Sequence, residues 1–131
     1  MHAIYDYAVI RVVPRVEREE FVNVGVIVAC QDADLLEARI EIDEARLLAL
    51  DPTLDINTIR GHLETIPTIC AGGAAAGTLG TLSRRQRFDW LTAPRSALIQ
   101  TSAVHSGRCS NAAQVIDHLM QTMVRSARAD R

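Results

Sequence analysis

The chain contains no lysine. All 14 of its basic residues are arginine, set against 16 acids and a net charge of -2. A balance so close to zero excludes a generic attraction to polyanions. An arginine-only, alanine-rich composition is what a GC-rich genome yields, and it needs no special chemistry. Aromatic residues are scarce, at 4% of 131 residues with a single Trp. Cysteine is limited to Cys30, Cys70 and Cys109. These are odd in number and far apart, with no C-x-x-C, which excludes a zinc ribbon or a dithiol redox motif. Such sparse usage fits a reducing cytosol. His2, His62, His105 and His118 form no H-x-x-x-H or H-E-x-x-H pattern, so no metal site is expected, and no cofactor is implied. The longest apolar run falls far short of a bilayer span. No basic n-region precedes an apolar h-region, so no signal peptide is expected. The expected location is the cytoplasm, with no membrane partner.

What is present is a core-forming composition. Hydrophobic residues make up 48% of the chain, which suits one domain over residues 1–131. Ile4–Val13 and Phe21–Cys30 are β-branched and apolar, with a short charged link, so they are expected to pair antiparallel. Leu36–Asp43 alternates apolar and polar residues and reads as a strand with one wet face. Asp43–Leu50 reads as a short helix and Asp55 as the cap of a second, with Ile56, Ile59, Leu63 and Ile66 on one side and Pro67 near its end. Ala71–Gly80 holds four of the seven glycines and is expected to be a flexible loop. It lacks G-K-[ST] and any G-x-G-x-x-G after a strand, so it is no phosphate loop.

Ser83-x-x-Gln86 is a capping box that predicts a helix over Arg84–Leu91. Leu98–Val104 reads as a fourth strand in the same sheet. Asn111 and Gln114 predict the start of a last helix reaching Val124, and the tail from Ser126 (residues 126–131) is expected to fray. The fold class is α+β: an antiparallel meander sheet of about four strands packed with three to four helices.

Charge is unevenly distributed. Residues 1–79 hold 6 Arg and 13 acids, whereas residues 80–131 hold 8 Arg and 3 acids. The two halves can neutralise each other across the fold, or the basic half can present a site. The candidate anion-binding set is Arg84, Arg87, Arg95 and His105. Helical spacing puts Arg84 and Arg87 near one face, Arg95 follows the turn, and His105 closes the strand beyond it. Asp89, Trp90 and Ser96 are the supporting residues. The competing structural reading pairs these arginines with acids or stacks them on Trp90. Asp89, Ser96 and His105 also carry the letters of an acyl-transfer triad, and Cys109 lies near His105, but neither set has the motif that fixes such geometry. Phe88 and Trp90 are both expected to help build the core, with Arg85 exposed; two apart on a helix, the rings cannot point the same way, so one should lie nearer the rim. Arg11 and Asn23 interrupt apolar strands. Arg11 is expected to find an acid among Glu17–Glu20, and Asn23 with Gly25 to mark a bulge.

Two blocks are distinctive together: YDYAVIRVVPRVEREEFVNVGVIV at Tyr5–Val28 and RFDWLTAPRSALIQTSAVHSG at Arg87–Gly107. With the final helix to Val124, they make the chain resemble the bacterial family of domain of unknown function 3037. The resemblance implies a small bacterial cytoplasmic domain and no assigned activity. It also implies a protein partner, a toxin-type serine/threonine kinase encoded beside some members. The chain departs from the family where Ser110-Asn111 stands in place of Asp-Pro, a change that keeps a helix-capping residue. Three functions are consistent with these readings. The first is a non-catalytic accessory module binding an anion, a protein or nucleic acid through the arginine-bearing helix and turn. The second is an enzyme on phosphate or nucleotide substrates, with Asp89 or His105 as acid/base. The third is a homo-oligomeric scaffold without a ligand.

Overall fold

The computed structural model describes residues 2–125. Residues 126–131, read above as a fraying tail, lie outside the described residues. The chain forms β1 (Ala3–Val12), β2 (Val22–Cys30), β3 (Leu35–Ile40), α1 (Glu44–Leu50), α2 (Ile56–Ala71), α3 (Arg84–Leu91), β4 (Ile99–Thr101), β5 (His105–Cys109) and α4 (Ala112–Leu119). Every pairing among the described residues is antiparallel. The path runs β3-β2-β1-β4, and β5 also pairs with β1. The meander and the α+β class are therefore as the sequence indicated.

The fourth strand differs from expectation. Leu98–Val104 is not continuous; it yields the three-residue β4, and a separate fifth strand follows. β4 opposes Ile10–Val12 and β5 opposes Ala3–Tyr7, so the two lie end to end along one edge of β1. Ser102 stitches the break, because its N–H donates to the Val9 carbonyl at 2.8 Å and its Oγ accepts from the Val9 N–H at 2.8 Å. A side chain here takes over the backbone's partner, which ends the regular ladder.

Helices cover both faces. On one, Ile10, Val12, Val24 and Ile27 pack against Leu47, Ile59, Leu63, Phe88 and Leu91 of α1, α2 and α3. On the other, Val9, Val26 and Val28 pack against Val115, Ile116, Leu119 and Met120. This is why β1 and β2 are apolar on both sides. α4 widens into a π turn over Met120–Val124. Asp43, Asp55 and Ser83 cap α1, α2 and α3 through their side chains, and Ser83 with Gln86 forms the full reciprocal box.

The bulge falls where Asn23 and Gly25 suggested. Gly25 opposes Ile10 and Asn23 opposes Arg11, which leaves Val24 as the extra residue. A Cβ on Gly25 would overlap the Arg39 carbonyl oxygen of β3. Asn23 Nδ2 donates to the Met123 carbonyl at 3.0 Å, tying the bulge to the end of α4. Arg11 does not reach Glu17–Glu20. Its guanidinium lies over the Phe21 ring, 4.0 Å from the centroid, and its buried Nε has no partner among the described residues. Ala74–Thr81 is not an open loop but a run of 3-10 turns, with Ala76 and Leu79 packed on the core. A Cβ on Gly80 would overlap the Gly73 backbone, so the segment folds back on itself.

Candidate functional site

α3 turns Arg87, Phe88 and Leu91 inward and Arg84, Arg85 and Asp89 outward. Arg87 is only 8% exposed. Its Nη1 donates to the Ile69 and Cys70 carbonyls, at 2.9 and 2.6 Å, and its Nε to the Leu82 carbonyl at 3.1 Å. Ile69 and Cys70 lie in the last turn of α2, where carbonyls lack the amide four residues on; Ile69 also accepts from the C-cap Gly72 N–H at 3.1 Å. Arg87 gives the Cys70 carbonyl a partner and the Ile69 carbonyl a second one, and its charge suits the negative end of the α2 dipole. Gly72, at φ +73°, gives the clearance, since a Cβ there would sit 2.8 Å from Nη1. Both demands, a left-handed backbone and an absent side chain, select glycine.

Arg84 and Arg85 face acids of the N-terminal half. Arg84 approaches Asp34 at 3.7 Å, and Arg85 bonds Asp6 at 2.6 Å and Asp89 at 3.1 Å. Ser106 Oγ donates to Asp6 Oδ1 at 2.6 Å. That hydrogen bond, and then the Arg85 guanidinium, hold the Asp6 carboxyl below its ordinary range. A cavity of about 580 Å³ opens here, lined by Asp6, Asp32, Asp34, Arg84 and Arg85. Acids outnumber arginines on its walls.

Arg95 closes the C-terminal end of α3. Its Nη1 donates to the Leu91 carbonyl at 3.1 Å and its Nη2 to the Trp90 carbonyl at 2.6 Å. The guanidinium also lies 4.6 Å from the Trp90 ring centroid. Unlike Arg87 it remains exposed. Of the two rings expected in the core, only Phe88 is there, at 0% exposed; Trp90, at 44%, lies on the rim, because helical spacing turns it away from α2. Trp90 and Arg95 border a groove of about 400 Å³ between α2, α3 and β4. Its apolar floor is Ile66, Ile69, Leu91, Leu98 and Ile99; its polar rim includes His62, Thr65, Gln100 and Thr101. Among the described residues, no Asp or Glu lines it.

The four anion candidates are therefore not brought together. Arg84 is paired at the start of α3, Arg87 is buried against α2, and Arg95 sits at the far end. His105 lies on the opposite side of the sheet. It is the neighbour in sequence of Ser106, which meets Asp6 on the α3 side, and strand alternation turns it away. Its ring lies 5.5 Å from Tyr7, on the α4 side. Asp89, bound to Arg85, is thus separated from His105, and Ser96 is exposed in the turn after α3. His105 and Cys109 are four residues apart along β5, about 13 Å, too far for a thiol–imidazole contact. Burial pushes the Cys70 thiol up to about 12, and burial likewise raises Cys109. Neither has the lowered pKa of a reactive thiolate. No group of three metal-ligating side chains occurs among the described residues, and no helix there is long and apolar enough to cross a membrane.

Of the groove's α2 and β4 walls, Ile66 and Leu98–Thr101 were read from the sequence only as a helix face and a strand, and neither they nor His62 and Thr65 were marked as a site. The usable signal was Trp90 beside Pro94-Arg95, a large ring at a helix end next to a turn, with an apolar strand following.

A family model matches residues 7–124, nearly the whole chain. The chain belongs to that family, Protein of unknown function (DUF3037). The matched span includes β1 from Tyr7, the α2–α3–β4 groove and α4 with its π turn. No curated protein and no solved structure matches the chain. For this DUF3037 chain the functional reading rests on its own geometry.

Proposed function

We propose that the chain is a non-catalytic binding module of the bacterial cytoplasm, with the α2–α3–β4 groove as its receptor surface for a protein partner. One observation carries the reading: an apolar floor of about 400 Å³ with an exposed guanidinium at its rim and no acid lining it. An apolar centre with a polar rim is the anatomy of a protein-recognition surface. The anion-binding idea survives here in a narrower form, as a carboxylate met by Arg95 rather than by four residues. Arg95 already spends donors on the Leu91, Ala93 and Trp90 carbonyls, but a guanidinium has five N–H groups. Nucleic acid is a poorer fit, because a phosphate backbone needs a row of free cations and the other α3 arginines are paired or buried. Three free thiols, two of them buried, suit a reducing compartment.

The test is affinity selection of displayed random dodecapeptides on the immobilised protein. The peptides obtained are then measured against Thr65→Glu. Thr65 is an exposed helix residue on the groove rim, so the change leaves the fold intact and adds an acid where none stands. The expected result is apolar-plus-acidic peptides that lose about tenfold or more in affinity for the variant, equivalent to about 1.4 kcal/mol. Peptides that bind both proteins equally would refute the groove as the receptor surface.

A further inference from the structure

We infer that the partner segment enters this groove as an added β-strand along the outer edge of β4, with an apolar residue over the groove floor and an acidic residue two positions away facing Arg95. The inference rests on the groove being the receptor surface and states how it is used.

The first support is the direction of the β4 backbone. Val13 N–H donates to the Leu98 carbonyl at 2.7 Å, and Ser102 N–H donates to the Val9 carbonyl at 2.8 Å. Residues 98, 100 and 102 therefore turn their polar backbone groups toward β1. By alternation, Ile99 and Thr101 turn theirs away from it. β4 is the last strand on its side of the sheet, and no described strand pairs with that outer edge. A short row of donors and acceptors stands ready for another chain.

The second support is the direction of the β4 side chains. Ile99 opposes Val12 and Thr101 opposes Ile10, and both partners point into the α2–α3 core. Ile99 and Thr101 therefore turn their side chains to that same face, and both line the groove. A strand laid about 4.8 Å outside β4 would place its alternate side chains on the groove face, about 7 Å apart. That spacing lets one side chain reach the floor while the next on the same face meets the rim.

The third support is charge. Among the described residues, the only ionisable groups lining the groove are Arg95 and His62. An incoming acid finds attraction and no opposing carboxylate there. The two sheet edges also differ. β3, at the far edge, carries Glu37 and Arg39, and Arg39 is ion-paired to Asp117 of α4. Charged side chains are a usual guard against edge pairing. β4 reads Ile-Gln-Thr and has no such guard. Strand addition combines backbone bonds for affinity with side-chain pockets for specificity, and this edge beside this groove supplies both.

The peptides selected on the full chain provide the probe. Thr101→Pro removes an outward N–H and leaves the β1 ladder intact, since proline is tolerated where the lost N–H faces outside the sheet. The expected result is about a tenfold or greater loss of peptide affinity with an unchanged unfolding midpoint. N-methylating alternate peptide amides should weaken binding to the wild-type protein about tenfold at one parity and leave the other unchanged. That comparison holds even if Thr101→Pro fails to fold. The Ile99 and Thr101 amides should also gain protection from hydrogen exchange on binding. Three outcomes would overturn the inference. They are peptides sensitive to Thr65→Glu but indifferent to Thr101→Pro and to N-methylation, enrichment without an apolar residue two positions from an acid, and a dimer that dissociates on Thr101→Pro. The first leaves the groove as receptor surface and removes only the strand. Indifference to Thr65→Glu as well removes both readings.

Discussion

Two arginines of this chain perform the same local chemistry in different surroundings. Arg87 and Arg95 both donate to carbonyls at helix ends, the first at α2 and the second at α3. Arg87 is buried, with Gly72 making room for it. Arg95 lies on the surface against Trp90 and overlooks a groove. The difference teaches that neither residue type nor the number of carbonyl partners decides a role; the access of water does. Each guanidinium meets three carbonyls, but the buried one is closed off from water and belongs to the fold, whereas the exposed one keeps donors for a ligand. The same split appears one step along α3, where Phe88 is core and Trp90 is rim.

The largest effect should come from Phe88→Ala, expected to destabilise by about 3–5 kcal/mol, while Trp90→Ala costs about 1 kcal/mol, both read from denaturant midpoints. Equal losses would erase the contrast between core and rim. Arg87→Met should cost about 3 kcal/mol, because it strands the buried Cys70 carbonyl and removes the bonds to Ile69 and the part-buried Leu82. Arg95→Met should cost about 1 kcal/mol or less, since water can reach the carbonyls it leaves. Gly72→Ala should fall between, at about 1–3 kcal/mol, from the left-handed backbone and the collision with Arg87. In an Arg87→Met background the collision disappears, so the Gly72→Ala cost should shrink, which a double-mutant cycle detects.

The smallest effect concerns pH. Asp6 is held below its ordinary range by Ser106 and Arg85, so it binds a proton less readily in the folded state than in the unfolded chain. Its contribution is complete above the unfolded value, near 3.9, and disappears as the pH falls through the lower native value. Asp6→Asn should therefore flatten the acid limb of the stability profile below about pH 4 and leave the shape of the profile at higher pH alone. An unchanged acid limb would mean that the exposed pair with Arg85 contributes nothing measurable.

Much of the fold was legible because its signals are local. The caps at Asp43, Asp55 and Ser83 act within three residues of themselves, and the β1–β2–β3 meander follows from short links and alternation. The fifth strand was not legible. His-Ser-Gly-Arg-Cys carries little strand propensity and exists because β1 offers an edge about 100 residues earlier. Arg87 was misleading for a related reason. Its partners are main-chain carbonyls, which every sequence possesses, so nothing in the residue pattern marks them as its target. For Phe88 and Trp90, helical spacing says that the rings part company, but only packing against α2 says which one goes inside. The uneven charge of the two halves was a better guide. Arg84–Asp34, Arg85–Asp6 and Arg125–Glu41 all join the basic C-terminal part to the acidic N-terminal part.

The central position of β1 has a consequence for the nascent chain. β1 leaves the ribosome before every partner it will have. β2 follows at once and takes one edge, but the other waits for residues 99–109. At about 5–20 residues per second, that interval lasts several seconds. Throughout it the apolar run Ala8-Val9-Ile10 presents an unpaired edge, the feature on which strand-to-strand aggregation feeds. The segment carrying β4 and β5 thus finishes the sheet late and ends that exposure.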